Sequence, residues 1–286
     1  MDFVWRQTFD QTRVAVISEG RGWWPIDSAL ENVPEELWRP LIETDQAKRM
    51  SVGFNVVHVS LPDASILLDT GWGRDTATNV SEPILASLAF QPTLGVEAGL
   101  ARLGIQPTDI THVLVSHMHS DHVVGATKVV QNKRSLVFPK ARYFVMEEEW
   151  CNAPAPWNPL AGLIAAQKET LLKARMVSLV RGEQDIVPGV TFVPAPGESP
   201  GHAIVRIRTE TRPLYYVADL FHHPAELIHM EWMPRHRDSG KLIDSRKKLI
   251  PRFVAEDAWL IPAHFPFPPI GRIELSGDGY AWKSLE

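Results

Sequence analysis

His117-Met118-His119-Ser120-Asp121-His122 is the stretch of this 286-residue chain that decides its fold and its chemistry. It places four side chains that bind metals within six residues, and it directly follows the β-rich run 111–116. The side chains are therefore delivered at the C-terminal end of a buried strand, where α/β folds usually place their chemistry. Because imidazole and carboxylate groups suit zinc and similar divalent metals, the motif predicts a metal site rather than a polar loop.

The spacing within the motif predicts more than one ion. His119, Asp121 and His122 cannot all converge with His117 on a single ion in easy geometry, so a second ion is expected. Three more candidate ligands follow strand-like or turn-forming segments farther along the chain: His202, Asp219 and His264. A carboxylate at the end of an apolar strand, such as Asp219, is costly to bury unless cations pair with it.

The whole series resembles the pattern of the metallo-β-lactamase superfamily, whose signature is His-x-His-x-Asp-His after a β-strand. The resemblance extends from about Val56 to His264, because the other family positions also occur in order. Strand-like runs such as 12–17, 56–61 and 65–69 come first, then helical runs, further strands and a helix at 239–254. We therefore predict an α/β fold, an αββα sandwich with two packed mixed β-sheets and helices on both outer faces.

The resemblance also implies a ligand set for two ions. One ion would be held by His117, His119 and His202, and the second by Asp121, His122 and His264, with Asp219 bridging them. Asp69 matches the early aspartate that supports the site in the family. Glu198 stands where many relatives carry an additional histidine, a position that is usually not a ligand, so we expect only the local hydrogen bonding to differ.

The mechanism that the resemblance implies is metal-assisted hydrolysis. Two divalent ions, zinc first and manganese, cobalt or iron as alternatives, would lower the pKa of a shared water toward about 7. The resulting hydroxide would attack a small, partly apolar ester, lactone or phosphotriester. Asp121 would hold the nucleophile or pass a proton to the leaving group. His222 occupies the position where lactonases of this fold commonly carry a tyrosine; we expect it to contact substrate or transfer a proton, with a purely supporting hydrogen bond as the open alternative.

Within the superfamily, the long interval from His122 to His202 resembles that of N-acyl homoserine lactonases and methyl-parathion-hydrolase-like enzymes. The retained bridging aspartate disfavours a true β-lactamase, and the 22 residues after His264 are too few for the helical substrate domain of glyoxalase II-like thioester hydrolases. Three alternatives stay open: a mononuclear iron dioxygenase acting on a persulfide, a β-lactam or thioester hydrolase, and a non-catalytic binding protein that keeps the fold.

Composition sets wider limits. A hydrophobic content of 44% can supply a large core, and no linker divides the chain, so a single domain over 1–286 is predicted, with an irregular Trp- and Pro-rich excursion at about 20–50. A net charge of -5 argues against a nucleic-acid partner. The only dense basic cluster, 246–248, is typical of the solvated side of a helix.

Localisation and partners follow from what the sequence lacks. The one cysteine, Cys151, excludes an internal disulfide and a multi-cysteine zinc site, which suits a reducing compartment. A basic N-terminal region with an apolar run is missing, as is any apolar stretch of about 18 residues, so a soluble cytoplasmic protein without a membrane partner is expected. The expected partner is a small-molecule substrate. The Trp-rich excursion suits a homodimer contact, and Trp23, Trp24 and Trp72 are the first candidates for an apolar pocket mouth.

Overall fold

Two β-sheets and a separate hairpin contain all the strands in the part of the chain that the structure describes. The structure is a computed structural model that describes residues 3–73, 82–131, 133–152, 160–277 and 279–285. In chain order, the strands are β1 (Val4–Phe9), β2 (Thr12–Pro25), β3 (Arg49–Leu61), β4 (Ala64–Leu68), β5 (Gln91–Pro92), β6 (His112–Leu114), β7 (Thr127–Val130), β8 (Lys133–Leu136), β9 (Arg142–Met146), β10 (Val177–Val180), β11 (Gln184–Val187), β12 (Val190–Pro194), β13 (Ala203–Ile207), β14 (Leu214–Ala218), β15 (Trp259–Pro262), β16 (Gly271–Ser276) and β17 (Gly279–Ser284).

The helices connect these strands or cover the sheets. They are α1 (Ile26–Ala29), α2 (Glu35–Trp38), α3 (Glu82–Ser87), α4 (Val96–Arg102), α5 (Ser120–Val123), α6 (Glu147–Cys151), α7 (Ala161–Ala174) and α8 (Ser239–Ala255). Asp238 caps α8, since its side chain accepts a hydrogen bond from the backbone N–H of Lys241. Within the described ranges, no helix combines the length and the apolar character that crossing a membrane requires.

Both sheets are mixed. The first has the order β1-β2-β3-β4-β6-β9-β10, with β5 on β2, and the second runs β11 to β17 in sequence order. In the first sheet β4, β6, β9 and β10 pair in parallel, whereas β1 to β4 pair antiparallel. In the second sheet β14 and β15 pair in parallel and the remaining pairs are antiparallel. β7 and β8 form a separate hairpin.

Alternating side chains place the two sheets face to face with helices outside. In β14, Leu214 and Tyr216 point into the core between the sheets, while Tyr215 and Val217 pack against α8. On the far side of the first sheet, residues of β6 pack with buried residues of α4 and α7. The period of two along a strand produces this division. The predicted αββα sandwich is confirmed.

Several element boundaries differ from those predicted. The excursion at about 20–50 is shorter and more regular than expected, because β2 continues to Pro25 and β3 already begins at Arg49. Trp23 and Trp24 therefore lie in a strand, not in a loop. Between these two strands, α1 and Trp38 of α2 pack with Trp72 and Trp232 into a small hydrophobic core.

Candidate metal centre

The predicted ligands come from both sheets and lie at the same edge of the sandwich. His117 and His119 follow β6, and Asp121 and His122 lie in α5, which begins immediately afterwards. His202 lies in the connection between β12 and β13, while Asp219 and His264 directly follow β14 and β15. Because β14 and β15 are parallel neighbours, their C-terminal ends meet, and this juxtaposes Asp219 and His264.

Asp219 lies at the centre of this cluster. Its Oδ1 is 3.2 Å from His122 Nε2, and its Oδ2 is 3.2 Å from His264 Nε2 and 3.6 Å from His117 Nε2. The donor atoms of Asp121, His122 and His264 form one group within 4.8 Å of one another, and those of His117, His119, Glu198 and Asp219 form another. Asp219 therefore contacts imidazoles of both groups, the placement required of a bridging carboxylate.

His202 lies beside these groups but belongs to neither in the described part of the chain. Its Nε2 accepts a hydrogen bond of 3.2 Å from the backbone N–H of Asp219, and its ring centroid is 5.2 Å from that of His117. The side chain is completely buried. The structure thus brings six predicted ligands into the two groups, with His202 at their border.

The donor set fits divalent cations. Asp219 Oδ1 and His122 Nε2 are buried and have no hydrogen-bond partner among the described residues, which is costly unless a cation lies between them. Burial lowers the pKa of His122, but the carboxylates of Asp219 and Asp121 outweigh this and raise it well above its usual value. The buried carboxylates therefore attract positive charge, which metal ions would supply in place of the proton.

Three of the histidines are oriented by a hydrogen bond on the ring nitrogen that faces away from the cluster. His202 Nδ1 donates to the carbonyl oxygen of Ala195 (2.8 Å) and His264 Nδ1 to that of Gly53 (2.9 Å). His122 Nδ1 lies 2.8 Å from Asp69 Oδ2. Each bond fixes the ring and leaves Nε2 with a lone pair directed at the site, the usual arrangement of metal-binding histidines.

Asp69, expected to support the site, anchors one side of it. Its carboxylate accepts hydrogen bonds from the backbone N–H and hydroxyl of Ser116, both at 2.6 Å, and from the hydroxyl of Tyr216 at 2.7 Å. Asp69 and Ala218 both have positive φ, 61° and 45°, a strained conformation for residues other than glycine. Asp69 directly follows β4 and Ala218 is the last residue of β14, so both lie where the chain leaves a strand and turns into the site.

Glu149 was not anticipated from the sequence and joins two ligand loops. Its Oε1 accepts from the backbone N–H of Met118 (2.8 Å), and its Oε2 accepts from Ser199 Oγ (2.7 Å) and the N–H of Gly201 (2.9 Å). A Cβ on Gly201 would lie 2.2 Å from the backbone nitrogen of Glu149. The glycine before His202 thus permits the close approach of α6. In the sequence, Glu149 looks like one of three exposed glutamates.

Glu19 was also missed, although a charged residue inside the apolar run of β2 is a signal that a function constrains it. Its carboxylate accepts from the backbone N–H of Trp72 at 2.8 Å and that of Gly73 at 3.3 Å, which holds the turn after Asp69. Burial raises the pKa of Glu19 to about 7.

His222 lies against the centre rather than apart from it. Its Nε2 is 3.3 Å from Asp219 Oδ2, and its ring stacks on that of His264 with centroids 5.4 Å apart and planes inclined by 8°. Glu198 and Glu226 lie 3.9 Å and 3.7 Å from its two ring nitrogens. Burial lowers the pKa of His222, but the nearby carboxylates of Glu198, Asp219 and Glu226 outweigh this and raise it to about 10.

A cavity of about 410 Å³ opens onto the cluster. One wall is polar and includes His119, Asp121, Asp219, Arg235 and Arg237. The other wall is apolar, formed by Trp24, Val52, Phe54, Trp72, Ile84 and Leu88. Trp24 and Trp72 thus line the cavity as predicted, whereas Trp23 does not and instead lies under the guanidinium of Arg21, 4.7 Å from the ring centroid.

Residues 55–264 match the family model of the metallo-β-lactamase superfamily, an interval that includes every predicted ligand. The chain belongs to this superfamily. Within the metallo-β-lactamase superfamily, the sequence is similar to an N-acyl homoserine lactonase of Bacillus cereus, with 28% identity over 156 residues. This alignment covers 52% of the chain and 55% of the lactonase, so the chain spans about half the length of that relative.

Solved structures of two similar proteins superpose over almost the whole chain. AidC, a dizinc quorum-quenching lactonase in complex with a product, has a TM-score of 0.81 at 23% identity and covers 99% of this chain and 97% of its own. The hydrolase AbOPH has a TM-score of 0.82 at 19% identity and covers 100% and 98%. At these identities the likeness establishes the shared fold.

Proposed function

We propose that the chain is a dinuclear metal-dependent hydrolase that acts on a small, partly apolar ester, lactone or phosphotriester. The observation that supports this most directly is the position of Asp219, within 3.6 Å of imidazoles from both donor groups and on the wall of the 410 Å³ cavity. A polar cluster at one wall and apolar side chains at the other are typical of a site that binds a small molecule and orients it.

The proposed ligand set assigns each predicted residue one role. The first ion takes His117, His119 and His202, the second takes Asp121, His122 and His264, and Asp219 bridges them. Burial lowers the pKa of His117 and His202, which keeps both imidazoles neutral and available as ligands near pH 7. Zinc is the proposed metal, with manganese, cobalt and iron as alternatives that the same ligands accept.

The chain's own residues supply positioning and proton transfer. When bound, the two ions would acidify a water molecule and polarise the carbonyl or phosphoryl oxygen of the substrate. Asp121, whose side chain is 18% exposed on the cavity wall, takes a proton from the attacking water and returns it to the leaving group. Phe54 and Trp72 exclude water and hold the apolar part of the substrate beside the cluster.

The test is a panel of acyl homoserine lactones, aryl esters and phosphotriesters assayed with zinc- or manganese-loaded protein. We expect turnover of at least one class, and its loss in Asp219→Asn, which keeps the size of the side chain but removes the charge. The matched control is Asp244→Asn on α8, a residue outside the cluster and the cavity. If no class is turned over, the proposal is wrong.

Metal analysis separates the competing chemistry. About two ions per chain support hydrolysis, whereas a single iron supports the alternative of a persulfide dioxygenase with the same fold. The homodimer expected from the excursion stays a prediction. Sedimentation velocity would test it, and a mass near the chain's 32.1 kDa would exclude it.

A further inference from the structure

Glu198 lies where a metal ligand would lie, although the corresponding position was expected to be outside the ligand set. Its Oε1 is 3.3 Å from His119 Nδ1. Two donors that bind one ion, each about 2.0–2.2 Å from it, are separated by roughly 3 to 3.6 Å. Glu198 also shares a group with His117, His119 and Asp219 in which all donor atoms lie within 4.8 Å of one another.

The protein partners of Glu198 leave its carboxylate incompletely satisfied. The side chain is fully buried, and Arg237 contacts Oε1 at 2.5 Å. Neither oxygen, however, has a hydrogen-bond partner of good geometry among the described residues, and the imidazole of His222 is 3.9 Å away. Arg237 thus pairs with one side of Oε1 and leaves the other lone pairs of the carboxylate, which has about four, without a partner of good geometry. Unused lone pairs on a fully buried carboxylate, above all those of Oε2, are costly unless a further cation takes them.

The backbone before Glu198 fixes its direction. Gly197 has φ of 133°, and a Cβ at this position would lie 2.2 Å from the backbone nitrogen of Leu242 in α8. Only glycine permits this close contact, so the turn that presents Glu198 is held against a long helix. The backbone just before Glu198 is therefore held by packing against α8, and the carboxylate itself contacts Arg237 and His119.

We propose that Glu198 is an additional ligand of the first metal ion, alongside His117, His119 and His202. The inference rests on the proposed metal pair and concerns only how its first ion is held. The extra oxygen ligand makes this ion's environment harder and more negative, and Arg237 balances the added charge. Because carboxylates suit manganese whereas imidazoles suit zinc, Glu198 should raise manganese affinity more than zinc affinity.

The affinities of the two metals for three variants test the proposal. Glu198→Gln keeps the shape and removes the charge, and Glu198→Gln/Arg237→Gln removes the unpaired arginine that the single variant leaves buried. Chelator competition should show that the affinity for one of the two ions falls by at least about 10–100-fold in both variants that carry Glu198→Gln, which is the range for lost support at metal sites. The loss should be larger for manganese than for zinc. Arg237→Gln alone should retain both ions.

The contrary outcomes are equally defined. If Arg237→Gln lowers the metal affinity as much as Glu198→Gln does, Glu198 acts through its ion pair with Arg237 and the proposal is wrong. An equal loss of affinity for zinc and manganese would also contradict it, because a carboxylate ligand should favour manganese. A crystal structure of the zinc-loaded protein gives the direct answer: a Glu198 oxygen about 2.0–2.2 Å from an ion is expected, and a separation above about 3 Å overturns the inference. Neither result depends on turnover, so the hydrolase proposal can fail separately.

Discussion

Glu149 is a buried side chain that supports the proposed metal centre through hydrogen bonds without belonging to either donor group. Its three hydrogen bonds tie the loop containing His119 to the loop containing His202. In Glu149→Gln, one oxygen becomes an amide that donates and cannot accept, so at least one loop loses its anchor. We expect about a 10–100-fold loss of metal affinity, measured by chelator competition. Glu148→Gln, an exposed neighbour on the same helix, should bind metals as the parent does, and equal affinity in both variants would contradict the anchoring role.

His222 is a second residue whose contribution can be measured separately from metal binding. Its contact with Asp219 and its stack on His264 predict that His222→Ala lowers kcat by roughly 10–100-fold while two ions remain bound. His222→Phe keeps an aromatic ring on His264 without the ring nitrogens. If the phenylalanine variant recovers full kcat, packing alone accounts for the residue. Unchanged kinetics in the alanine variant would remove His222 from the mechanism.

The candidate ligands could be predicted from the sequence because they are His and Asp residues that lie shortly after strands, where a buried polar side chain is costly unless it has a partner. The roles of Glu149 and Glu198 could not be predicted, and of Glu19 the sequence signalled only that a charged residue lies inside an apolar strand. Their importance depends on which backbone N–H groups or donor atoms lie opposite them, and contacts across 50 or so residues, such as that between Glu149 and Gly201, have no local signature. The helix containing Glu149 looks like an ordinary acidic surface helix in the sequence.

At the scale of elements, β2 combines two functions that the sequence obscured. The whole strand pairs with β3, but its first half packs into the sandwich, whereas its second half, with Gly20, Gly22, Trp23 and Trp24, reaches the cavity. Glycines and a terminal proline weaken the pattern of a strand, and this explains why an irregular segment was predicted. Pairing with β3 along its whole length outweighs these local preferences.

The acid that β2 buries gives the element a pH dependence. Glu19 has a pKa of about 7 in the fold against 4.5 in the unfolded chain, so the folded state binds more protons between these values. The contribution of Glu19 to the free energy of unfolding is therefore largest below pH 4.5. It falls by on the order of 3 kcal/mol as the pH rises to 7. Urea titrations of chelator-treated protein should show this slope.

Glu19→Gln provides the control for this prediction, because an amide does not titrate in this range. The variant should lose the downward slope between pH 4.5 and 7 while keeping the hydrogen bond from Trp72 to the remaining oxygen. A slope that persists in the variant would assign the pH dependence to other groups.

At the scale of the whole molecule, the candidate metal ligands come from both sheets. His117 to His122 follow a strand of the first sheet, whereas His202, Asp219 and His264 belong to connections of the second. Each proposed ion has ligands from both, since His202 completes the first set and His264 the second. This architecture could be predicted because the strands with alternating apolar residues and the order of the motif positions indicate the same fold. The number of strands could not be predicted, because hairpins such as β16–β17 have weak sequence patterns.

Metal removal should therefore destabilise the fold as a whole. Ions that bind only the folded state stabilise it by about 4 kcal/mol each at a concentration 1,000 times Kd, and each kcal/mol corresponds to about 2–4 °C in a chain somewhat smaller than this one. We expect chelation to lower Tm by roughly 10 °C or more by calorimetry, without abolishing the cooperative transition, because the core between the sheets is apolar. Asp219→Asn should start with a lower Tm in metal and respond less to the chelator. An identical Tm for the native chain with and without chelator would mean that the cluster does not hold the sheets together through cations.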